Sequence, residues 1–254
     1  MTEEAAGRRR ETQATAFWRL EVFESISSTS DFCRSRALEA EPEGLAVVAG
    51  WQTAGRGSRG REWLSERGNL FLSVLLRPDD DARYAGYWAL LAAVAVAEAL
   101  ARGDVALKWP NDILQDGKKL GGILIDTQAD SIGRIEFMVI GIGLNLRASP
   151  VIEGRDVTAL ANPPAPEALA CKILDRLADW RQRYDRQAVR EAWLRHAMPV
   201  GTAMTLRLAN RQISGNFAGL ADDASLLLDT GGAVQKYSSG EIWLTEKMRE
   251  QMPC

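Results

Sequence analysis

The stretch Gly55-Arg56-Gly57-Ser58-Arg59-Gly60 reads Gly-x-Gly-x-x-Gly, the fingerprint of a dinucleotide-binding loop, yet the residues after it cannot complete that fold. Such a loop opens a helix inside a βαβ unit of about 30 residues. Here Arg61 to Gly68 is short, polar and charged, and Asn69-Leu70-Phe71-Leu72-Ser73-Val74-Leu75-Leu76 then reads as an apolar strand. No crossover helix fits between them, so a Rossmann-type sheet is excluded at this point. Asp79, Asp80 and Asp81 lie about where a ribose-binding acid would fall, but they follow Arg77-Pro78 and read as a solvated turn. What remains is a loop suited to an anion or, as the bland alternative, a flexible, solvated basic loop. Glycine lets backbone N–H groups approach an oxyanion, and arginine supplies planar forks for a carboxylate or phosphate.

Around that loop, helical and strand patterns alternate from Phe17 to about Ala197, as in an α/β or α+β domain with a mixed sheet. Helices are expected over Thr29 to Glu39, Ala85 to Ala101 and a long stretch from Pro166 to His196. Strands are expected at Leu45 to Trp51, Leu70 to Leu76, Ala106 to Trp109, Asp112 to Gln115, Leu120 to Gln128 and Arg134 to Leu144. Asp116-Gly117 marks a tight hairpin, because both central residues of a type I′ turn need positive φ. From Val200 the pattern changes to short strands at Thr205 to Leu208, Gln212 to Leu220, Ser225 to Asp229 and Gln235 to Tyr237, separated by turns. The expected division is a tail over 1–16, a catalytic-type domain over 17–197, a small β-barrel over 198–247 and a tail over 248–254.

A net charge of −3 and a sequence pI of about 5.5 argue against a nucleic-acid partner, which would reward a basic face. Arg8-Arg9-Arg10 reads as a solvated cluster rather than a DNA arm. Cys33, Cys171 and Cys254 are odd in number and far apart, so neither a disulfide framework nor a zinc site is indicated. The N-terminus lacks the apolar core of a secretion signal, and a cytoplasmic location is expected. The longest apolar run, Trp88 to Ala97, falls short of the ~20 residues that span a membrane and reads as a buried helix. His196 is the single histidine and sits late in a helical stretch, which gives Ser-His-Asp and Cys-His chemistry little support.

Two further segments narrow the chemistry. In Lys108-Trp109-Pro110-Asn111-Asp112 the proline ends a strand in a rigid turn. In Gly117-Lys118-Lys119-Leu120-Gly121-Gly122-Ile123-Leu124-Ile125 two glycines interrupt an apolar strand, which implies that something passes close to the backbone there. The neighbouring lysines suit an anionic ligand; a plain turn and a solvated hairpin end are the bland alternatives.

Together, Gly55 to Trp63, Lys108 to Asp112, Lys119 to Ile123 and Gly141-Ile142-Gly143-Leu144-Asn145 resemble the biotin protein ligases, also called biotin–[acetyl-CoA-carboxylase] ligases, over nearly all of Val22 to Leu244. The resemblance implies a catalytic fold related to class II aminoacyl-tRNA synthetases followed by an SH3-like domain. It implies activation of biotin by Mg²⁺-ATP to biotinyl-5′-AMP, then transfer to a lysine of a biotin carboxyl carrier protein. Lys119 matches the principal catalytic cation, and Arg56 a residue that orients the loop over the intermediate. Ser28, Thr29, Ser30, Gln52, Gly55, Gly57, Ser58, Gly122 and Gly141 fall on the biotin side, with Ser30 in place of the usual asparagine. Arg59, Arg61, Trp63, Asn111, Asp112 and Asn145 fall on the ATP side, where Trp63 would stack on adenine and Asp112 would help hold Mg²⁺. The metal ligands themselves are not assigned by sequence.

Two departures stand out. Ser58 occupies the place where the family commonly has a second arginine, so looser retention of the adenylate is expected unless Arg59 or Arg67 compensates. Bifunctional members carry a winged-helix repressor domain of about 60 residues, and some sixteen precede the catalytic region here, so a monofunctional ligase is expected. Monomer and homodimer both remain open. The rival readings are a lipoate or octanoate ligase of the same fold and a non-catalytic biotin sensor.

Overall fold

The computed structural model describes residues 9–11 and 17–244. An eight-stranded mixed sheet dominates it, in the order β1 (Arg9–Glu11), β2 (Arg19–Phe23), β3 (Leu45–Ala49), β4 (Leu70–Leu76), β8 (Ile135–Leu144), β7 (Lys118–Ala129), β6 (Asp112–Gln115) and β5 (Val105–Lys108). Only β2 and β3 run parallel; every other neighbouring pair is antiparallel. The parallel pair needs a crossover, and α1 (Thr29–Leu38) supplies it.

Strand alternation sorts side chains to the two faces. Ala46, Val48, Leu72, Val74, Met138, Ile140 and Ile142 join the larger core. That core lies under α2 (Ala85–Leu100), α3 (Pro166–Gln182) and α4 (Arg186–His196). Leu45, Val47, Ala49, Leu75, Phe137 and Val139 point the other way and pack with Cys33 and Ala37 of α1. The apolar run from Trp88 to Ala97 is a buried stretch of α2, as expected, with Ala89 alone only partly covered. No helix among the described residues is long and apolar enough to cross a membrane.

A second, five-stranded antiparallel sheet follows, in the order β12 (Val234–Tyr237), β11 (Leu226–Asp229), β10 (Gln212–Leu220), β9 (Ala203–Arg207) and β13 (Glu241–Leu244). It is seated on the larger layer. Tyr87 donates to the Asp222 carbonyl at 2.8 Å, Trp109 Nε1 to the Ala224 carbonyl at 3.0 Å, and Met204, Leu206 and Ile242 share the larger core.

Several expectations change in detail. The stretch from Pro166 to His196 is two helices, because Asp185 takes extended backbone and caps α4 by accepting from Ala188 N at 2.8 Å. Strands β2 and β13 were not anticipated. Within the expected tail over 1–16, Arg9–Glu11 pairs antiparallel with β2; the rest of that tail and all of 248–254 lie outside the described residues. Cys33 and Cys171 are free thiols, and Cys254 lies outside the described residues. The Asp116-Gly117 hairpin is as expected, with φ of 49° and 72°.

Candidate active site

The alternation that builds the core also opens the site. On β4 and β8 the residues facing the α1 side include Phe71, Ser73, Gly141 and Gly143, and α1 covers only part of that face. A cavity of about 320 Å³ remains beside the N-terminus of α1. Strand glycines leave its floor low. A Cβ on Gly141 would sit 2.7 Å from Ser30 Oγ, and one on Gly143 would sit 2.6 Å from the Trp63 indole. Gly122, the register partner of Gly143, lies beside the same indole. The close approach inferred from the Gly121-Gly122 pair is therefore made in part by the ring of Trp63.

One end of the cavity is a closed cluster of hydroxyls and one amide. Ser28 caps α1, its Oγ accepting from Asp31 N at 3.3 Å. Gln52 Oε1 accepts from the Thr29 amide at 2.9 Å and from its hydroxyl at 3.1 Å. Ser73 Oγ lies 2.8 Å from Thr29 Oγ1 and 3.0 Å from Ser30 Oγ. All five residues are less than 10 % exposed, and the hydrogen bonds joining Thr29, Ser30, Gln52 and Ser73 fix their positions before any ligand arrives.

The other end is charged. Lys119, the second residue of β7, is bonded to Asp112 Oδ1, while Lys108 Nζ lies 2.8 Å from Asp112 Oδ2. Burial alone would raise the Asp112 carboxyl; the two lysines outweigh it and hold the group down at about 2. The backbone of Lys119 is fixed as well, donating to Asp156 O at 2.8 Å and accepting from Thr158 N at 2.9 Å. Its Nζ lies 5.8 Å from the Trp63 ring centroid.

Between the two ends runs the glycine-arginine loop, folded as a tight hairpin. Trp63 N donates to Gly55 O at 2.9 Å and Gly57 N to Arg61 O at 2.8 Å, around a short 3-10 turn at Ser58–Gly60. Gly55 is required by contact, because a Cβ there would lie 2.5 Å from Trp63 O. Arg56 ties the loop to both flanking elements, at 2.6 Å to Asp31 of α1 and 3.2 Å to Asp126 of β7. Glu241, the first residue of β13, accepts from Arg59 at 3.4 Å, Arg61 at 3.1 Å and Arg155 at 2.5 Å. Burial pushes the Glu241 carboxyl up, and the three arginines more than reverse this.

Of the residues singled out by sequence, Thr29, Ser30, Gln52, Arg56, Gly57, Ser58, Arg61, Trp63, Asn111, Lys119, Gly122 and Gly141 line the cavity. Ser28, Gly55, Arg59, Asp112 and Asn145 do not line it. Asn145 is buried just after β8, its backbone N donating to Leu120 O at 2.8 Å. Beside Ser58 the arginine that lines the cavity is Arg61, whose Nη2 donates to Ser58 Oγ at 3.2 Å; Arg59 turns to Glu241, and Arg67 lies over the Trp51 ring. Sequence reasoning missed Ser73, Arg155 and Glu241. Ser73 had a signal, a lone hydroxyl in an otherwise apolar strand. Arg155 and Glu241 had none, since their meeting joins segments 86 residues apart.

Comparison with known proteins places these motifs in a family. The sequence model described as the Biotin/lipoate A/B protein ligase family matches residues 22–145. The biotin–[acetyl-CoA-carboxylase] ligase of Paracoccus denitrificans is 31% identical over 237 residues, covering 84% of this chain and 97% of that protein. The chain belongs to the biotin protein ligase family. Another biotin ligase relative, the bifunctional ligase/repressor BirA of Bacillus subtilis, is 35% identical over 234 residues, covering 86% of this chain and 72% of BirA. Among solved structures, the biotin protein ligase of Aquifex aeolicus in complex with biotin and ATP superposes with a TM-score of 0.73 at 26% identity, covering 89% of this chain and 98% of that one. The biotin/lipoate ligase match at 22–145 contains the whole polar cluster and Lys119, whereas Arg155 and Glu241 lie beyond it.

Proposed function

We propose that the protein is an ATP-dependent biotin ligase that joins the biotin carboxylate to AMP and passes the biotinyl group to a lysine of a biotin carboxyl carrier protein. The observation that supports this most strongly is one cavity with a pre-satisfied hydroxyl and amide cluster at one end and Lys119 at the other, in a chain of the biotin protein ligase family. A ureido head group needs donors and acceptors together, and Thr29, Ser30, Ser73 and Gln52 offer both. The ring and tail would lie along Phe71 and Leu124, in the room kept by Gly141.

A carboxylate at neutral pH is a poor acceptor of an amine, and a free lysine amine, with a pKa near 10.4, is mostly protonated. Activation solves the first difficulty. The biotin carboxylate attacks the α-phosphorus of ATP, the bond to the β-phosphate oxygen breaks, and pyrophosphate leaves. The carrier amine then attacks the acyl carbon of biotinyl-5′-AMP; AMP departs and the amine loses its proton. Lys119 stands where the carboxylate and α-phosphate meet and offsets their combined negative charge. Arg61 and Arg155, both on the cavity wall, provide forks for phosphate oxygens. Arg56 holds the loop closed between α1 and β7 rather than reaching the reacting atoms itself.

No group of three or more His, Cys, Asp or Glu side chains placed for a metal occurs among the described residues. Both Asp112 oxygens are taken by Lys108 and Lys119, so a Mg²⁺ would be held chiefly by phosphate oxygens and water, and the ion would screen the phosphate charge. We also read the larger layer, 17–197, as a class II aminoacyl-tRNA synthetase-like domain and 198–247 as an SH3-like domain. The antiparallel five-stranded sheet supports the second assignment.

Pyrophosphate release in the presence of ATP, Mg²⁺ and either biotin or lipoate tests the reading. Release with biotin alone is expected. Release with lipoate alone, or binding of biotin with no release, would overturn it in favour of a lipoate ligase or a sensor.

A further inference from the structure

Lys108 has no part in the reaction described above, and it does not line the main cavity. It ends β5, across the Trp109-Pro110-Asn111 turn from Asp112, with its side chain only 13% exposed. A lysine so far removed from water requires partners. It has two, Asp112 Oδ2 at 2.8 Å and the Ile242 carbonyl of β13 at 3.0 Å. Asp112, itself 14% exposed, thus stands between two ammonium groups, Lys108 behind and Lys119 in front.

The charge balance of this cluster decides what Lys119 can do. An isolated buried pair of Asp112 and Lys119 would be neutral, and an anion approaching the lysine would also meet the carboxylate behind it. With Lys108 present the cluster keeps one net positive charge at the face where two substrate anions must meet. We propose that Lys108 is a positioning residue for adenylation, the counter-ion of Asp112 that leaves the charge of Lys119 available to the biotin carboxylate and the α-phosphate. The Ile242 carbonyl anchors it, so the second sheet contributes one backbone atom to the electrostatics of the first. This inference rests on the ligase reading and deepens it.

The test compares wild type with Lys108→Met, Lys108→Arg and the double variant Lys108→Met with Asp112→Asn, each checked for folding by circular dichroism and thermal melting. With biotin-dependent pyrophosphate release as readout, Lys108→Met is expected to lower kcat by about 10- to 100-fold, with a smaller change in KM for biotin. Lys108→Arg keeps the charge and should recover most of the loss. The double variant should be at least about fivefold faster than Lys108→Met, because removing the carboxylate releases Lys119. A purely structural lysine would give no such recovery, since the second substitution would add to the damage.

A second measurement needs no ligase activity: competitive acetylation of Lys119 read by mass spectrometry. Labelling should slow in Lys108→Met, where Asp112 pairs with Lys119 alone, and recover in the double variant. A double variant no faster than the single one, or acetylation unchanged across the series, overturns the counter-ion role. Wild type that releases no pyrophosphate with biotin overturns the ligase reading instead, and the acetylation series still decides the role of Lys108.

Discussion

The two ends of the cavity are organised by different physics. At the polar end, Thr29, Ser30, Gln52 and Ser73 are buried and bonded to one another, so their geometry is set by packing and would persist whether or not a ligand is bound. At the charged end, Lys119, Arg61 and Arg155 are held by ion pairs to Asp112 and Glu241, carboxylates of this chain that do not line the cavity. Binding at the first end replaces hydrogen bonds within a rigid frame. At the second it brings anions up to cations already paired with carboxylates, so affinity there depends on charge balance and salt more than on shape.

The contrast can be broken at several points. The largest effect is expected from Lys119→Ala, which removes the cation between the two ends; biotin-dependent pyrophosphate release should fall about 10²- to 10³-fold, while biotin binding measured by calorimetry changes far less. Next comes Ser73→Ala. It strips the shared partner from the Thr29 and Ser30 hydroxyls, and leaving buried donors unpaired costs about 1–3 kcal/mol. Biotin affinity should drop roughly 10- to 100-fold with KM for ATP nearly unchanged.

Asp112 sharpens the electrostatic side through pH. Its folded carboxyl is held at about 2 against an ordinary 3.8, so its contribution to stability is present above about 3.8 and is lost as pH falls from there toward 2. That contribution is on the order of 2 kcal/mol. Thermal melting of Asp112→Asn should therefore show a shallower loss of Tm over this window than wild type. Parallel curves would remove the assignment. The smallest change is expected from Glu241→Gln, whose three ion pairs are partly solvated; stability should shift by no more than about 1 kcal/mol, and raising salt should shrink the difference further.

How far the sequence revealed these two ends follows from the range of the interactions that build them. The Asp116-Gly117 hairpin, β4 and α1 were readable because turn chemistry and periodicity are local. The break at Asp185 was hidden inside an apolar pattern that continues across it, although an aspartate before Arg186 is itself a helix-start signal. Strand β2 alternates as Arg19-Leu20-Glu21-Val22-Phe23 and was overlooked beside the stronger runs. In the site, motif residues such as Lys119, Gly141 and Trp63 were recoverable from resemblance. The partners of the charged groups were not. Nothing local in Glu241 announces that it gathers three arginines from two distant loops, or in Lys108 that it bonds to Ile242, because those contacts exist only after the second sheet is seated on the first.

The most direct test of the assigned reaction is transfer of labelled biotin to a purified biotin carboxyl carrier domain with Mg-ATP, run beside Lys119→Ala and with excess lipoate as competitor. Label on the carrier that is lost in the variant and unaffected by lipoate is the expected result; an unlabelled carrier in the presence of tightly bound biotin, or labelling suppressed by lipoate, would contradict it.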